Sequence, residues 1–163
     1  MIIAVFDNLL SILALACQAC YGSRLVSLGV FGSVGRGTPN ATSDIDVLVV
    51  AEELPRGRMA RVGEFEAVDA EMERALRTAR SEGVDTRLSP ILKTPEEVGA
   101  GSPLFLDMLF DLKILYDSGG FFAGYLEDLK RRLDRLGAHR VPAGGFWYWD
   151  LKPDFKPGDV IKL

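Results

Sequence analysis

Residues 31–50 read FGSVGRGTPNATSDIDVLVV, and the reading of this stretch decides the fold. An apolar run ends at Phe31, a turn follows at Gly32-Ser33, and after ten further residues Asp44-Ile45-Asp46 opens a second apolar run. Ile45 to Val50 is almost continuously apolar, the pattern of a central strand covered on both faces. Arg24 to Phe31 is short, partly β-branched and bounded by glycine, which predicts a strand. Between them, Gly32 to Ser43 holds three glycines, a proline and small polar residues. A loop is expected there, with room for one helical turn after Ser33.

Working outward, residues 1–20 form an apolar stretch that predicts a core helix ending near Tyr21-Gly22. It lacks the leading Lys or Arg of an export signal, and Asp7, Asn8 and Ser11 interrupt it. It also reads as too short and too polar at its start to span a bilayer. Downstream, Phe65, Val68, Met72, Ala75, Leu76 and Ala79 recur at helical spacing, and Gly83 ends that helix. Val84 to Leu92 is a third strand candidate. Thr94-Pro95-Glu96-Glu97 is a capping box with proline at the first helical position. Ser102-Pro103 opens another short helix running to about Phe110. Lys113 to Tyr116 is a fourth strand candidate, and Phe121 to Leu136 a last amphipathic helix. From Gly144 onward the chain reads as irregular and aromatic. The expected architecture is α/β (α+β), a mixed β-sheet with flanking helices. Residues 1–143 would form one domain and 144–163 an aromatic arm.

The bulk numbers exclude several classes. A chain of 163 residues with 48% hydrophobic and 26% charged residues can bury a core. Its net charge of −4 argues against a broad electrostatic grip on nucleic acid. Membrane association finds no support beyond the N-terminal stretch. Cys17 and Cys20 are the two cysteines and His139 the one histidine, so this C-x-x-C lacks the partners of a zinc site. Core filling in a reducing, cytoplasmic compartment is the expected reading.

The chemistry lies in the opening stretch. On a strand, Asp44 and Asp46 point to the same face with Cα atoms about 6.5–7 Å apart. Unpaired, they repel each other, and a shared cation relieves that repulsion. Gly32 lets backbone approach phosphate without a Cβ in the way, and Ser33 adds a hydroxyl. Gly35 and Gly37 keep the loop slim, and the Arg36 guanidinium can fork onto phosphate. Each piece has a plainer reading, as a turn cap, a strand start or a hairpin loop. The combination is what points to polyphosphate and metal.

That combination resembles the nucleotidyltransferase superfamily typified by DNA polymerase beta, and its small prokaryotic branch, the minimal nucleotidyltransferases, in particular. The likeness rests on Gly32-Ser33, ten residues, then Asp44-Ile45-Asp46, with Gly35-Arg36-Gly37 and Ser43 also as that branch prefers. It implies a nucleoside triphosphate, ATP foremost, bound at Gly32, Ser33, Arg36 and Ser43. It also implies Mg2+ or Mn2+ held by Asp44 and Asp46, and an acceptor hydroxyl that attacks the α-phosphorus with release of pyrophosphate. The superfamily usually adds a third carboxylate on a later strand. Asp85 is the candidate, against the alternative that it is a turn residue after Gly83. Members of this branch often pair with a helical HEPN-family protein, as the antitoxin half of a toxin–antitoxin system. A nucleotide-binding module without turnover is therefore the second functional reading. Arg87 and Lys93 read as solvent-facing, against the alternative that they touch the triphosphate or the acceptor, and His139 reads as a surface residue. The aromatic tail Phe146-Trp147-Tyr148-Trp149 would pack on this subunit or a neighbour, against the alternative that it stacks on an adenine or nucleic-acid base, which leaves a homo-oligomer open.

Overall fold

Ile2–Tyr21 forms α1, a 20-residue helix whose buried stripe runs through Val5, Phe6, Leu9, Leu13, Cys17 and Tyr21. By length and composition this helix could cross a membrane, which corrects the expectation that the stretch is too short. Its stripe is instead spent in the main hydrophobic cluster of the protein. Burial pushes the Cys17 thiol up to about 12, with neighbouring Cys20 adding to the shift. Such a thiol is inert, as a core-filling role requires.

The chain then enters β1 (Leu25–Phe31), turns through the four-residue helix α2 (Gly32–Gly35), and returns as β2 (Ile45–Ala51). α3 (Arg58–Ser81) leads to β3 (Leu88–Lys93), followed by α4 (Pro95–Gly99), α5 (Leu104–Asp111) and β4 (Lys113–Asp117). The sheet has the order β3-β2-β1-β4. β2 and β3 are parallel, while β1 runs antiparallel to both β2 and β4. The mixed sheet is as expected, and its central strands explain the apolar runs. Ile45, Val47, Val49 and Ala51 join the cluster formed with α1 and α3. Leu48 and Val50 are also buried, and alternation directs them to the opposite face.

β3 is an edge strand, and its exposed side is protected. In the parallel ladder Ile45 donates its N–H to Arg87 O, so alternate residues Leu88, Pro90 and Leu92 turn their backbone outward. Pro90 has no N–H to leave unpaired there. The Leu92 carbonyl accepts from Arg61 Nη1 at 3.1 Å, and the same guanidinium forks onto Glu97 at 2.7 and 3.0 Å.

The structure, a computed structural model, describes residues 1–161, and the chain divides into two compact units, Met1–Phe122 and Ala123–Leu163. α6 (Phe121–Leu136) begins in the first unit and continues into the second. The second unit also holds β5 (His139–Ala143) and β6 (Phe146–Asp150), an antiparallel hairpin. This corrects the reading of the tail as irregular. Gly144 and Gly145, with φ of 55° and 93°, make its two-residue turn. The Arg140 guanidinium lies 3.4 Å from the Trp147 ring centre and 5.7 Å from that of Trp149.

Candidate active site

Antiparallel pairing of β1 with β2 sets Phe31 opposite Asp46, so the turn that leaves β1 begins beside the carboxylate that opens β2. The approach is close. A Cβ on Gly32, whose φ is 67°, would lie 2.5 Å from Asp46 Oδ2. Only glycine accommodates both that dihedral and that neighbour. Ser33 follows, half-buried, in the first turn of α2, where helix amides have no intrahelical acceptor. The Gly32-Ser33 turn and the acidic pair thus share one end of the sheet.

Gly35 fixes the other side of the turn. A Cβ there would penetrate the Asp111 carbonyl oxygen and lie 2.6 Å from the Val30 carbonyl oxygen. α2 is therefore wedged between the end of β1 and the end of α5. Arg36 strengthens this joint: its Nη1 donates to Asp111 Oδ2 at 2.5 Å, and the Asp111 side chain is only 8% exposed. The structure thus engages Arg36 with a buried carboxylate, where the sequence offered it to phosphate. Ser43 is likewise committed locally. Its hydroxyl accepts the Asn40 N–H at 2.9 Å, while Asn40 Oδ1 accepts the Thr42 N–H at 2.9 Å. These bonds shape the loop that delivers Asp44.

Asp44 and Asp46 are both half-buried. Burial raises the Asp46 pKa above the ordinary carboxylate value, and the nearby Asp44 charge raises it further. A hydrogen bond from the Ser89 side chain opposes the rise. A desolvated carboxylate beside a second one is the electrostatic setting that a divalent cation relieves. Asp44 and Asp46 are the residues that could hold such an ion, since one or two carboxylates suffice for a cation that keeps several waters.

Asp85 does not join them. The expected strand from Val84 is shorter than read: β3 begins three residues after Asp85, at Leu88. Asp85 donates its N–H to Ala41 O in the loop before β2, and its carboxylate takes Arg80 Nε at 2.9 Å. In the parallel register Ser89 stands beside Asp46, and Arg87 Nε bonds Asp44 Oδ2 at 3.1 Å. Among the described residues no group of three or more His, Cys, Asp or Glu side chains could hold a metal ion. The third-carboxylate expectation is corrected accordingly: the neighbouring strand offers a guanidinium and a hydroxyl. Arg87 is solvent-exposed, as the sequence suggested, yet its guanidinium reaches Asp44; Ser89 was not singled out, and the parallel register is what brings it beside Asp46.

Residues 11–102 match the family model described as a nucleotidyltransferase domain. Over 134 residues the chain is 32% identical to "Putative protein adenylyltransferase MJ1305" of Methanocaldococcus jannaschii, covering 81% of this chain and 86% of that protein. Among solved structures, a toxin–antitoxin with AMP-PNP aligns at TM-score 0.43 and 17% identity, over 80% of this chain and 92% of the other. The toxin–antitoxin MntA-HepT aligns at TM-score 0.37 and 13% identity, over 82% and 92%. Both structural likenesses are too remote to bear on function.

Proposed function

Since this chain belongs to the nucleotidyltransferase domain family, we propose that it transfers AMP from ATP to a hydroxyl on a partner protein in the cytoplasm. One observation carries the reading: the Gly32-Ser33 turn lies directly against the Asp46 carboxylate. The named activity of the relative from Methanocaldococcus jannaschii supports both the adenylyl group and a protein acceptor. A helical HEPN-type protein is the partner that the resemblance of Gly32-Ser33 and Asp44-Ile45-Asp46 to the minimal branch favours.

In this reading Gly32 and Ser33 receive the terminal phosphates through backbone N–H groups and the Ser33 hydroxyl. Asp44 and Asp46 would hold Mg2+ or Mn2+ against the triphosphate, and when bound such an ion neutralises charge that develops on the phosphate oxygens. The acceptor oxygen forms a bond to the α-phosphorus as the bond to the β-phosphate oxygen breaks, and pyrophosphate leaves. With Asp85 turned to Arg80, the acceptor proton passes to solvent or to a group on the acceptor. Ser89 stands beside Asp46 in the register and Gly32 leaves room for its carboxylate.

A second reading, nucleotide binding without turnover, is favoured by one observation: the residues that the neighbouring strand brings to the acidic pair are Arg87 and Ser89, not a third carboxylate. Pyrophosphate release from ATP and Mg2+ with the partner protein separates the two. Release that disappears in Asp46→Asn supports transfer. Stabilisation by ATP and Mg2+ with no pyrophosphate formed would overturn it in favour of binding alone.

A further inference from the structure

Arg87 approaches the acidic pair from the neighbouring strand. Its carbonyl accepts the Ile45 N–H at 2.9 Å, which pins its backbone one step before β3. Its side chain is 82% exposed yet returns to Asp44, with Nε 3.1 Å from Oδ2. A guanidinium is always charged and cannot step aside by losing a proton. Any cation that binds Asp44 must therefore displace Arg87 or sit beside its positive charge.

We propose that Arg87 makes cation binding at this site depend on nucleotide: it occupies Asp44 in the free protein, so the divalent ion enters with the triphosphate. The proposal rests on the nucleotidyltransferase reading of Asp44 and Asp46. A bare divalent ion would lose affinity to the arginine's competition and repulsion. A metal–triphosphate complex brings anionic oxygens that accept the displaced guanidinium, so the loss is offset. Nucleotide and metal are then coupled, each tightening the other. Arg87 acts here as a positioning residue through Asp44, and its exposure makes it replaceable without harm to the core.

The test is Mn2+ binding followed by electron paramagnetic resonance, with and without a non-hydrolysable ATP analogue, on the intact protein. Wild type is expected to hold bare Mn2+ weakly and to tighten strongly with the analogue. Arg87→Gln should bind bare Mn2+ about fivefold more tightly, the scale of an exposed ion pair, and gain less from the analogue. Arg87→Asp, which places a third carboxylate beside Asp44, should tighten bare Mn2+ by at least about tenfold, and Arg87→Lys should restore wild-type coupling. Unchanged bare-ion affinity in Arg87→Gln, while Asp46→Asn abolishes binding, would overturn this proposal and leave the site assignment standing. Wild-type Mn2+ binding in Asp46→Asn would overturn both.

Discussion

Gly32 and Gly35 both need to be glycine, for different reasons, and their substitutions should separate folding from function. At Gly35 the added methyl meets two backbone carbonyl oxygens that cannot move independently. Gly35→Ala should cost about 3 kcal/mol, as overpacking at a rigid site does, read by denaturant unfolding; a loss below about 1 kcal/mol would contradict the wedge. At Gly32 the methyl meets a carboxylate oxygen instead. Gly32→Ala should stay folded, with a loss of about 1–2 kcal/mol for its left-handed backbone, while AMP transfer falls by far more than stability does. Asp46 gives a third test. Folding raises its pKa through burial and Asp44, so the folded protein binds the more protons and its ionised form counts against stability as pH rises. In metal-free buffer Asp46→Asn should melt higher than wild type. The gap should open as pH climbs through the carboxylate range and level off above it. A gap that is constant with pH would contradict the cause assigned to the shift.

Elements with strong local signals were legible in the sequence. The capping box before α4 forms as written: Thr94 Oγ1 accepts the Glu97 N–H at 3.3 Å and Glu97 Oε2 accepts the Thr94 N–H at 3.0 Å. Thr94→Ala should therefore lose about 1 kcal/mol in thermal or denaturant unfolding; no change would mean that the cap is idle. Glu97 also takes the Arg61 fork, which holds its pKa below the ordinary value. That contribution is present at neutral pH and fades as pH falls through the carboxylate range. What the sequence hid depends on partners far along the chain. The strand candidate from Val84 to Leu92 was visible, but β2 opens only at Ile45, so β3 begins at Leu88 and Asp85 is left in the loop. The β5–β6 hairpin escaped because His139, Arg140 and Pro142 are poor strand formers. Its signal was the Gly144-Gly145 pair between two five-residue segments.

At the scale of the whole molecule, the family match spans residues 11–102, which takes in the turn, the acidic pair and strands β1, β2 and β3. β4, α6 and the hairpin lie outside it. Ligand binding should register on the entire fold. ATP with Mg2+ at about a hundred times its dissociation constant should add about 2.7 kcal/mol, a rise of about 5–10 °C in melting temperature for a chain of this size. Asp46→Asn should lose the Mg2+-dependent part of that rise. In the proposed function the Gly32-Ser33 turn and the Asp44–Asp46 pair form one polyphosphate and cation site. A crystal structure with Mn2+ and a non-hydrolysable ATP analogue tests it most directly, read from the anomalous scattering of manganese. The expected result is a manganese peak bonded to Asp44 and Asp46, with the terminal phosphates on Gly32 and Ser33; a peak away from both carboxylates, or phosphates bound elsewhere, would contradict it.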